Sequence, residues 1–270
     1  MCLIAFRWQP QSSQPLVLAA NRDEFHARPT RPLGWWQWPG GPLAGRDLKA
    51  GGTWMAVARN GRYAAVTNFR DVDAGPGSRS RGDLPVAWLE CDDPADVFAR
   101  RLYRQREDYA PFNLLLGDQG RLWIVGTHAE PAPVSAGIHA LSNHLIDTPW
   151  PKSIRAVRLL EQWLEAGGNR FSEDIDGLLD LLDDREPADT DDLPDTGIGP
   201  QIEKLLSAPF IVSPDYGTRS SSALIVGATM RMAERSFDRA GGIIGQRHFT
   251  FRPGVANRVA TKAGSCSAMD

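Results

Sequence analysis

Short apolar runs separated by turn residues dominate the first third of the chain, and this pattern predicts β-strands. Ranges 2–8 and 16–21 form one pair. Ranges 53–59 and 62–68 flank Asn60-Gly61, the dipeptide most typical of a tight hairpin turn. Similar runs recur later in the chain, at 113–117, 121–127, 138–143, 221–228 and 230–237. The chain is therefore expected to be rich in antiparallel hairpins.

Apolar residues at helical spacing mark three other segments. The first runs to Tyr109, with Asp93 as the expected N-cap and Pro94 in the first helical position. The second covers 152–166 and ends at a Gly-Gly pair, and the third begins at Ser172. Because these helices are segregated from the hairpins, we predict an α+β fold with largely antiparallel sheets. We expect one domain over 1–255, followed by a polar C-terminal tail over 256–270.

Two segments show neither the strand pattern nor the helix pattern. Range 25–52 is rich in proline, glycine and tryptophan and is too long for an ordinary connection, so we expect it to border a ligand pocket. Trp35, Trp36 and Trp38 are its candidate apolar wall. Range 70–82 is almost devoid of apolar residues and predicts an exposed loop.

Composition narrows the possible partners. The chain has 270 residues, 42% of them hydrophobic, and a net charge of −3, which provides no basic field for nucleic acid. No apolar run reaches the roughly 18 residues of a membrane-spanning helix, and the N-terminus lacks the pattern of a signal peptide. We therefore expect a cytoplasmic protein without stable membrane insertion that acts on a small molecule.

The cysteines point to thiol chemistry instead of cross-linking. Cys2, Cys91 and Cys266 are an odd number without CxxC spacing, which argues against a disulfide framework or a structural zinc site. Cys2 follows the initiator methionine, and removal of Met1 would leave a sulfur nucleophile and a primary amine on one residue. The alternative is that Cys2 is a small apolar residue at the start of a core strand.

Four short motifs resemble the NRDE-motif family, whose eukaryotic members are called transport-and-Golgi-organisation proteins. They are Met1-Cys2-Leu3, Asn21-Arg22-Asp23-Glu24, Gly45-Arg46-Asp47 and Gly51-Gly52-Thr53-Trp54. That family is similar to the N-terminal-nucleophile hydrolases, which implies a four-layer αββα sandwich of two stacked antiparallel sheets. The resemblance also assigns five catalytic roles. Cys2 resembles the nucleophile, Asp23 the acid near the amine, Asn68 and Asn143 the oxyanion donors, and Arg219 the arginine near the thiol.

The second strand departs from the pattern of cysteine hydrolases such as bile-salt hydrolases. Ala20 occupies the position of their arginine, and strand alternation predicts that Arg22 points away from the face shared by Asn21 and Asp23. A less activated thiol is therefore expected. Asn21 and Arg22 are assigned, with the three tryptophans, to substrate binding. A salt bridge from Arg22 to Asp47 or Glu24 is an equally good interpretation.

The leading functional hypothesis is an N-terminal-cysteine amidohydrolase or thioesterase-like protein that needs no cofactor and no metal. The resemblance also implies an alternative, a non-catalytic protein that binds and traffics haem or an acyl-CoA or lipid. Candidate ligands for a haem iron are Cys2, His26 and His144. A third interpretation is an interaction protein on an inactive enzyme fold.

Overall fold

The computed structural model describes residues 2–167 and 174–254. It contains thirteen strands in chain order, β1 (Cys2–Trp8), β2 (Leu16–Phe25), β3 (Thr30–Trp35), β4 (Leu43–Asp47), β5 (Met55–Val57), β6 (Tyr63–Asn68), β7 (Phe112–Gly117), β8 (Leu122–Gly126), β9 (Ala129–Pro133), β10 (Gly137–Leu141), β11 (Tyr216–Val226), β12 (Met230–Phe237) and β13 (Ile243–Phe251). The helices are α1 (Asp83–Glu90), α2 (Ala95–Arg104), α3 (Pro151–Gly167), α4 (Ile175–Asp180) and α5 (Pro200–Leu205).

The strands form two antiparallel sheets. The first has six strands in the order β10-β1-β2-β11-β12-β13, and the second has seven in the order β3-β4-β5-β6-β7-β8-β9. β1 and β2 lie inside the first sheet, so both edges of each strand are hydrogen-bonded. This pairing fixes the position of the chain's first described residues.

Strand alternation produces three apolar cores and four layers. Ile4 and Phe6 of β1 point toward the second sheet and pack there against residues such as Leu33 of β3. Leu3 of β1 points the other way and packs against helices α3 and α4. A third core, which includes Trp88 of α1, lies between the second sheet and helices α1 and α2. The predicted αββα sandwich is therefore confirmed.

The hairpin predictions agree with the structure more closely than those for the irregular segments. Both strands around Asn60-Gly61 form, with Gly61 at φ 90, a backbone conformation that glycine adopts without strain. Segment 25–52 is not one long connection, because it contains strands β3 and β4. β3 is an edge strand, which explains how Pro32 is accommodated without a lost ladder hydrogen bond.

Several elements had no clear sequence signal. These are α1, α5, β9 and β13. Helix α2 begins at Ala95 with Pro94 as its N-cap residue, because the Asp93 carboxylate binds Arg101 instead of capping the helix. The expected cap Ser172 and the polar tail 256–270 lie outside the described residues. Within residues 2–167 and 174–254, no helix combines the length and apolar character needed to cross a membrane.

Candidate functional site

Cys2 begins β1 and lines a cavity of about 200 Å³. The cavity also receives Arg22 and Asp23 from β2 and Asn68 from the end of β6. A third wall comes from the segment between β6 and α1, including Arg81. The cavity thus joins the first residues of the chain to both sheets and to the loop beyond them.

Strand register places Arg22 on the same face as Cys2. The two residues are directly opposite each other in the antiparallel β1–β2 pair, and opposed residues project from the same side of a sheet. Asn21 is opposite Leu3 and faces the helical layer instead. Arg22 does turn away from Asn21, as expected, but it turns toward the thiol. The reason given for a less activated thiol, that β2 supplies no cation on this face, is therefore wrong.

Arg22 is held in place by three neighbours. Its guanidinium lies 4.3 Å from the centre of the Trp54 ring, and its Nη1 donates to Thr30 Oγ1 at 3.4 Å. Nη2 is 3.8 Å from Glu24 Oε2, so the expected salt bridge forms with Glu24. Asp47 does not take part, because Arg28 binds its carboxylate at 2.6 Å.

The thiol of Cys2 experiences opposing influences. Burial raises its pKa and the charge of Asp23 adds to this effect, whereas the positive charge of Arg22 acts more weakly to lower the pKa, and the net direction is upward. The residue as a whole remains partly exposed because one side faces the cavity. Activation of this thiol therefore requires a base close to it.

Asp23 is buried beside the beginning of β1. It is 2% exposed, and Thr218 Oγ1 donates to its Oδ1 at 2.7 Å. Burial raises the pKa of this carboxyl, while the buried Lys152 and Arg22 act in the opposite direction. Asp23 lies one residue beyond the β-ladder partner of Cys2, which places it near the backbone nitrogen of Cys2.

Asn68 offers a free amide to the cavity. It is partly exposed, and its side chain makes no hydrogen bond with any residue that the structure describes. Its backbone carbonyl is occupied, since Asn143 Nδ2 donates to it at 3.0 Å. The amide N–H groups of Asn68 are consequently available to a ligand beside Cys2.

Asn143 lies behind the cavity and does not line it. It is fully buried, and its Oδ1 accepts hydrogen bonds from Ser142 Oγ at 3.2 Å and Lys152 Nζ at 3.3 Å. Ser142 Oγ also lies 3.2 Å from the carbonyl oxygen of Cys2, to which it can donate. Asn143 therefore holds the backbone of Asn68 directly. It reaches the backbone of Cys2 only through Ser142, whose single hydroxyl proton can be donated to one of the two oxygens at a time.

Lys152 was missed because one lysine at the start of a helical pattern carries no signal. It is 2% exposed, and burial lowers its pKa to about 8. The charges of Asp23 and Cys2 act on it in the opposite direction. This lysine is a buried positive group immediately behind the site.

Arg219 does not lie in the Cys2 cavity, which corrects its assignment beside the thiol. The β2–β11 ladder shifts register between Thr218 and Ser220, and this irregularity redirects the side chain between them. Its Nη1 donates to the carbonyl oxygens of Phe25, His26 and Arg28 at 3.1 to 3.3 Å. Arg219 therefore supports the turn after β2.

Asn21 is also corrected, because it is structural and not in contact with the cavity. It is 1% exposed, its Nδ2 donates to the carbonyls of Leu182 and Pro209 at 2.9 Å, and Ser221 Oγ donates to its Oδ1 at 2.6 Å. With both ends of its amide occupied by protein, it ties β2 to the helical layer.

The three tryptophans lie away from the cavity, so their assignment as its wall is wrong. Strand β3 begins beside Arg22 at Thr30 and carries Trp35 to its far end, roughly 15 Å away at the usual rise per residue. The rings of Trp36 and Trp38 meet edge to face, with centres 4.9 Å apart. The aromatic wall is supplied by Trp54 instead.

The glycine-containing motifs shape this wall. A Cβ at Gly45 would lie 2.3 Å from the Trp54 ring, so only glycine leaves room for that indole. A Cβ at Gly52 would lie 2.4 Å from the backbone of Gly82, and Thr53 N donates to Gly82 O at 2.9 Å. These contacts hold segment 79–82 against the cavity, although sequence predicted an exposed loop there.

The cavity does not fit a haem. Its volume of about 200 Å³ is below the range usual for larger ligands, and charged side chains form much of its lining. His26 bonds to Ser213 O at 3.1 Å and His144 to Thr148 Oγ1 at 2.8 Å, and neither lines the cavity with Cys2. Among the described residues there is also no group of three or more potential metal ligands.

Comparison with known proteins identifies the family. A model described as Transport and Golgi organisation 2 matches residues 1–239. The chain belongs to this family. The Transport and Golgi organization protein 2 homolog of Homo sapiens is 31% identical over 251 residues, covering 84% of this chain and 89% of the human protein. The Drosophila melanogaster protein of the family is 24% identical over 261 residues, covering 86% and 90% of the two chains.

Matches among solved structures include two hydrolases. A variant of conjugated bile acid hydrolase from Clostridium perfringens has a TM-score of 0.49 and 8% identity, and the match covers 96% of this chain and 100% of that one. An N-acylethanolamine-hydrolyzing acid amidase ortholog from Caenorhabditis elegans has a TM-score of 0.40 and 9% identity, with 83% and 92% covered. For this member of the Transport and Golgi organisation 2 family, the fold assignment rests on its own strand order and cores.

Proposed function

We propose that this protein hydrolyses acyl amides or acyl thioesters with Cys2 as an N-terminal nucleophile. One observation carries the proposal: the thiol of Cys2, the guanidinium of Arg22 and the free amide of Asn68 line the same cavity. These groups supply a nucleophile, a positive charge beside it and a hydrogen-bond donor for a developing oxyanion.

The reaction requires removal of Met1, because an amide nitrogen cannot act as a base. The free amine of Cys2 takes the thiol proton, and the sulfur forms a bond to the acyl carbon while the carbonyl oxygen becomes an oxyanion. Asn68 donates to that oxygen. When the oxyanion collapses, the bond from the acyl carbon to the leaving nitrogen or sulfur breaks, and the ammonium group returns its proton to the leaving group.

Water completes the cycle. The amine of Cys2 accepts a proton from water as the water oxygen attacks the thioester, and the carboxylic acid leaves as the thiol regains its proton. Asp23 lies close enough to the start of β1 to orient the amine. Asn143 is a positioning residue, since it holds the backbone of Asn68.

The proposal is tested by turnover of an acyl amide and an acyl thioester in protein whose Met1 has been removed. Cys2→Ala should abolish turnover and leave the melting temperature almost unchanged, because only a small side chain at the cavity is altered. Cys91→Ala is the matched control, since Cys91 is buried in the core beneath α1 and should not affect turnover per folded molecule. Full turnover in Cys2→Ala would reject the proposal.

A further inference from the structure

The cavity around Cys2 carries an excess of positive charge. Its lining includes four arginines, Arg22, Arg28, Arg79 and Arg81, and three carboxylates, Asp23, Glu24 and Asp47. Burial raises the pKa of Asp23, which further weakens the negative contribution. A neutral acyl compound would leave this imbalance uncompensated when it displaces water.

The three carboxylates bind protein groups on one side of the cavity. Asp47 binds Arg28 through Nε at 2.7 Å and Nη2 at 2.6 Å. Glu24 is shared between Arg22 at 3.8 Å and Arg28 at 3.7 Å. Asp23 accepts from Thr218 on the face toward the helices. All three carboxylates therefore interact with groups on β2, on its neighbouring strand β11 or in the turn after β2.

Arg81 lies on the opposite wall. It donates from Nη1 to the carbonyl oxygen of Pro111 at 3.0 Å and makes no ion pair with any described residue. Burial lowers the pKa of the Arg81 guanidinium, and the charges of Cys2 and Glu24 act to raise it. Arg81 therefore lies within electrostatic range of the thiol. Its remaining N–H groups are available to an anion in the cavity.

The wall carrying Arg81 is rigidly supported. The next residue, Gly82, packs against the backbone of Gly52 and accepts the hydrogen bond from Thr53 N. The carbonyl of Pro111 holds the guanidinium itself. Arg81 is therefore a fixed positive group, and a fixed group recognises an anion at a lower entropic cost than a mobile surface side chain.

We propose that the substrate carries an anionic oxyacid group, a carboxylate or a phosphate, and that Arg81 binds this group while the acyl carbon lies at Cys2. The inference rests on the proposed function for the acyl part of the ligand. Arg79, on the same wall and above the Tyr109 ring at 5.3 Å, adds to the positive potential. Arginine suits either anion because its planar N–H groups can bind two oxygens at once.

A binding measurement tests this inference without turnover. In Cys2→Ala protein, N-hexanoylglycine should bind about 10- to 100-fold more tightly than its neutral amide, N-hexanoylglycinamide, as a charge-assisted hydrogen bond is gained. N-hexanoyl-O-phosphoethanolamine distinguishes phosphate from carboxylate as the preferred anion. Arg81→Gln should remove the preference for both acids, while Arg104→Gln, an exposed position on α2, should keep it.

The outcomes separate the two proposals. Equal binding of the acid and its amide, binding of neither compound, or a preference that survives Arg81→Gln would overturn the inference. An acid preference that depends on Arg81, in a protein whose unmutated form hydrolyses none of the three compounds, would support the anion site and count against the hydrolase. Turnover of the amide and acid with equal kcat/KM would support the hydrolase and reject the anion site.

Discussion

At the scale of single residues, the alternation of β2 divides the Asn21-Arg22-Asp23-Glu24 motif into different tasks. Asn21 faces the helices and is fully occupied by protein groups. Arg22 faces the thiol, and Asp23 lies at the cavity where β1 begins. Glu24 balances two arginines. The motif is therefore not four substrate-binding residues but one anchor and three groups that set the charge around Cys2.

Arg22 should control the reactivity of the thiol. Arg22→Gln removes the cation opposite Cys2, so the pKa of the thiol should rise further and alkylation at pH 7 should slow about 10-fold. Arg22→Lys keeps the charge and should retain most of the rate. Iodoacetamide labelling of the Cys2 peptide, followed by mass spectrometry across a pH series, measures the effect. Identical pH profiles for unmutated protein and Arg22→Gln would contradict this role.

Asn68 should matter for turnover more than for folding. Its side chain has no hydrogen-bond partner among the described residues, so Asn68→Ala should change the free energy of unfolding by less than about 0.5 kcal/mol. The loss of an oxyanion donor should lower kcat about 10²- to 10³-fold. Asn143→Ala is the informative contrast, because it leaves buried partners unpaired and should also destabilise the fold. Normal kcat in Asn68→Ala would rule out the donor role.

Glu234 should make stability depend on pH. It is 3% exposed, burial raises its pKa to about 7, and its Oε1 accepts from Leu33 N at 2.7 Å. The folded state therefore favours the protonated acid, and stability is lost as the pH rises from the unfolded pKa through about 7. Between pH 4.5 and pH 8, unmutated protein should lose about 1–3 kcal/mol relative to Glu234→Gln. Urea denaturation measures both proteins at each pH, and a difference in unfolding free energy between them that is the same at pH 4.5 and pH 8 would disprove this.

The sequence predicted only some of the residues that line the site. Cys2, Asp23 and Asn68 carry motif or strand-end signals, and all three line the cavity. Arg219 does not line the cavity, because β11 shifts its register beside this residue, and the residue pattern gives no sign of that shift. The role of Arg81 depends on a loop folding back between two sheets, and a lone arginine in a polar segment does not reveal that contact.

At the scale of elements, backbone contact between two loops builds the third wall of the cavity. Gly52 precedes β5 and Gly82 precedes α1, and their backbones approach too closely for a side chain at Gly52. The preceding Gly51 has a different requirement, since its φ is 84 and a Cβ there would meet nothing within 4 Å. The two adjacent glycines can therefore be tested separately.

Gly52→Ala should move the wall that carries Arg81. A Cβ placed 2.4 Å from the backbone of Gly82 cannot be relieved by a rotamer change, so we expect a loss of about 2–3 kcal/mol and a strong fall in kcat/KM. Gly51→Ala should cost about 1 kcal/mol through its positive φ and leave kcat/KM of the folded protein unchanged. Chemical denaturation and turnover give both quantities. Equal effects of the two substitutions would show that the close contact does not matter.

Hairpins with strong turn signals were predictable, and edge elements were not. The β5–β6 pair around Asn60-Gly61 and the β7–β8 pair appear as expected. Strand β13 was not predicted, because it is a mostly exposed edge strand and lacks the continuous apolar run that marks β1. β3 contains Pro32 and Gly34, which sequence rules associate with loops. Tertiary pairing with a neighbouring strand overrides that local preference.

At the scale of the whole molecule, the two sheets bring distant parts of the chain to one cavity. β1 and β2 lie within one sheet, and β6 lies within the other. Packing of the sheets through the shared apolar core sets Cys2 against Asn68. The general architecture follows from strand and helix patterns, whereas this convergence depends on how the sheets stack, which periodicity alone does not specify.

The central claim, that Cys2 is an N-terminal nucleophile, is tested most directly by the intact mass of protein trapped with an acyl thioester. We predict loss of one methionine from the chain and addition of one acyl group, with the acyl group mapped to Cys2 and absent from Cys2→Ala. Brief incubation followed by acid quenching should capture this covalent intermediate before water removes the acyl group. A chain that retains Met1 in its native host, or turns over the thioester without any acyl group passing through Cys2, would contradict the account.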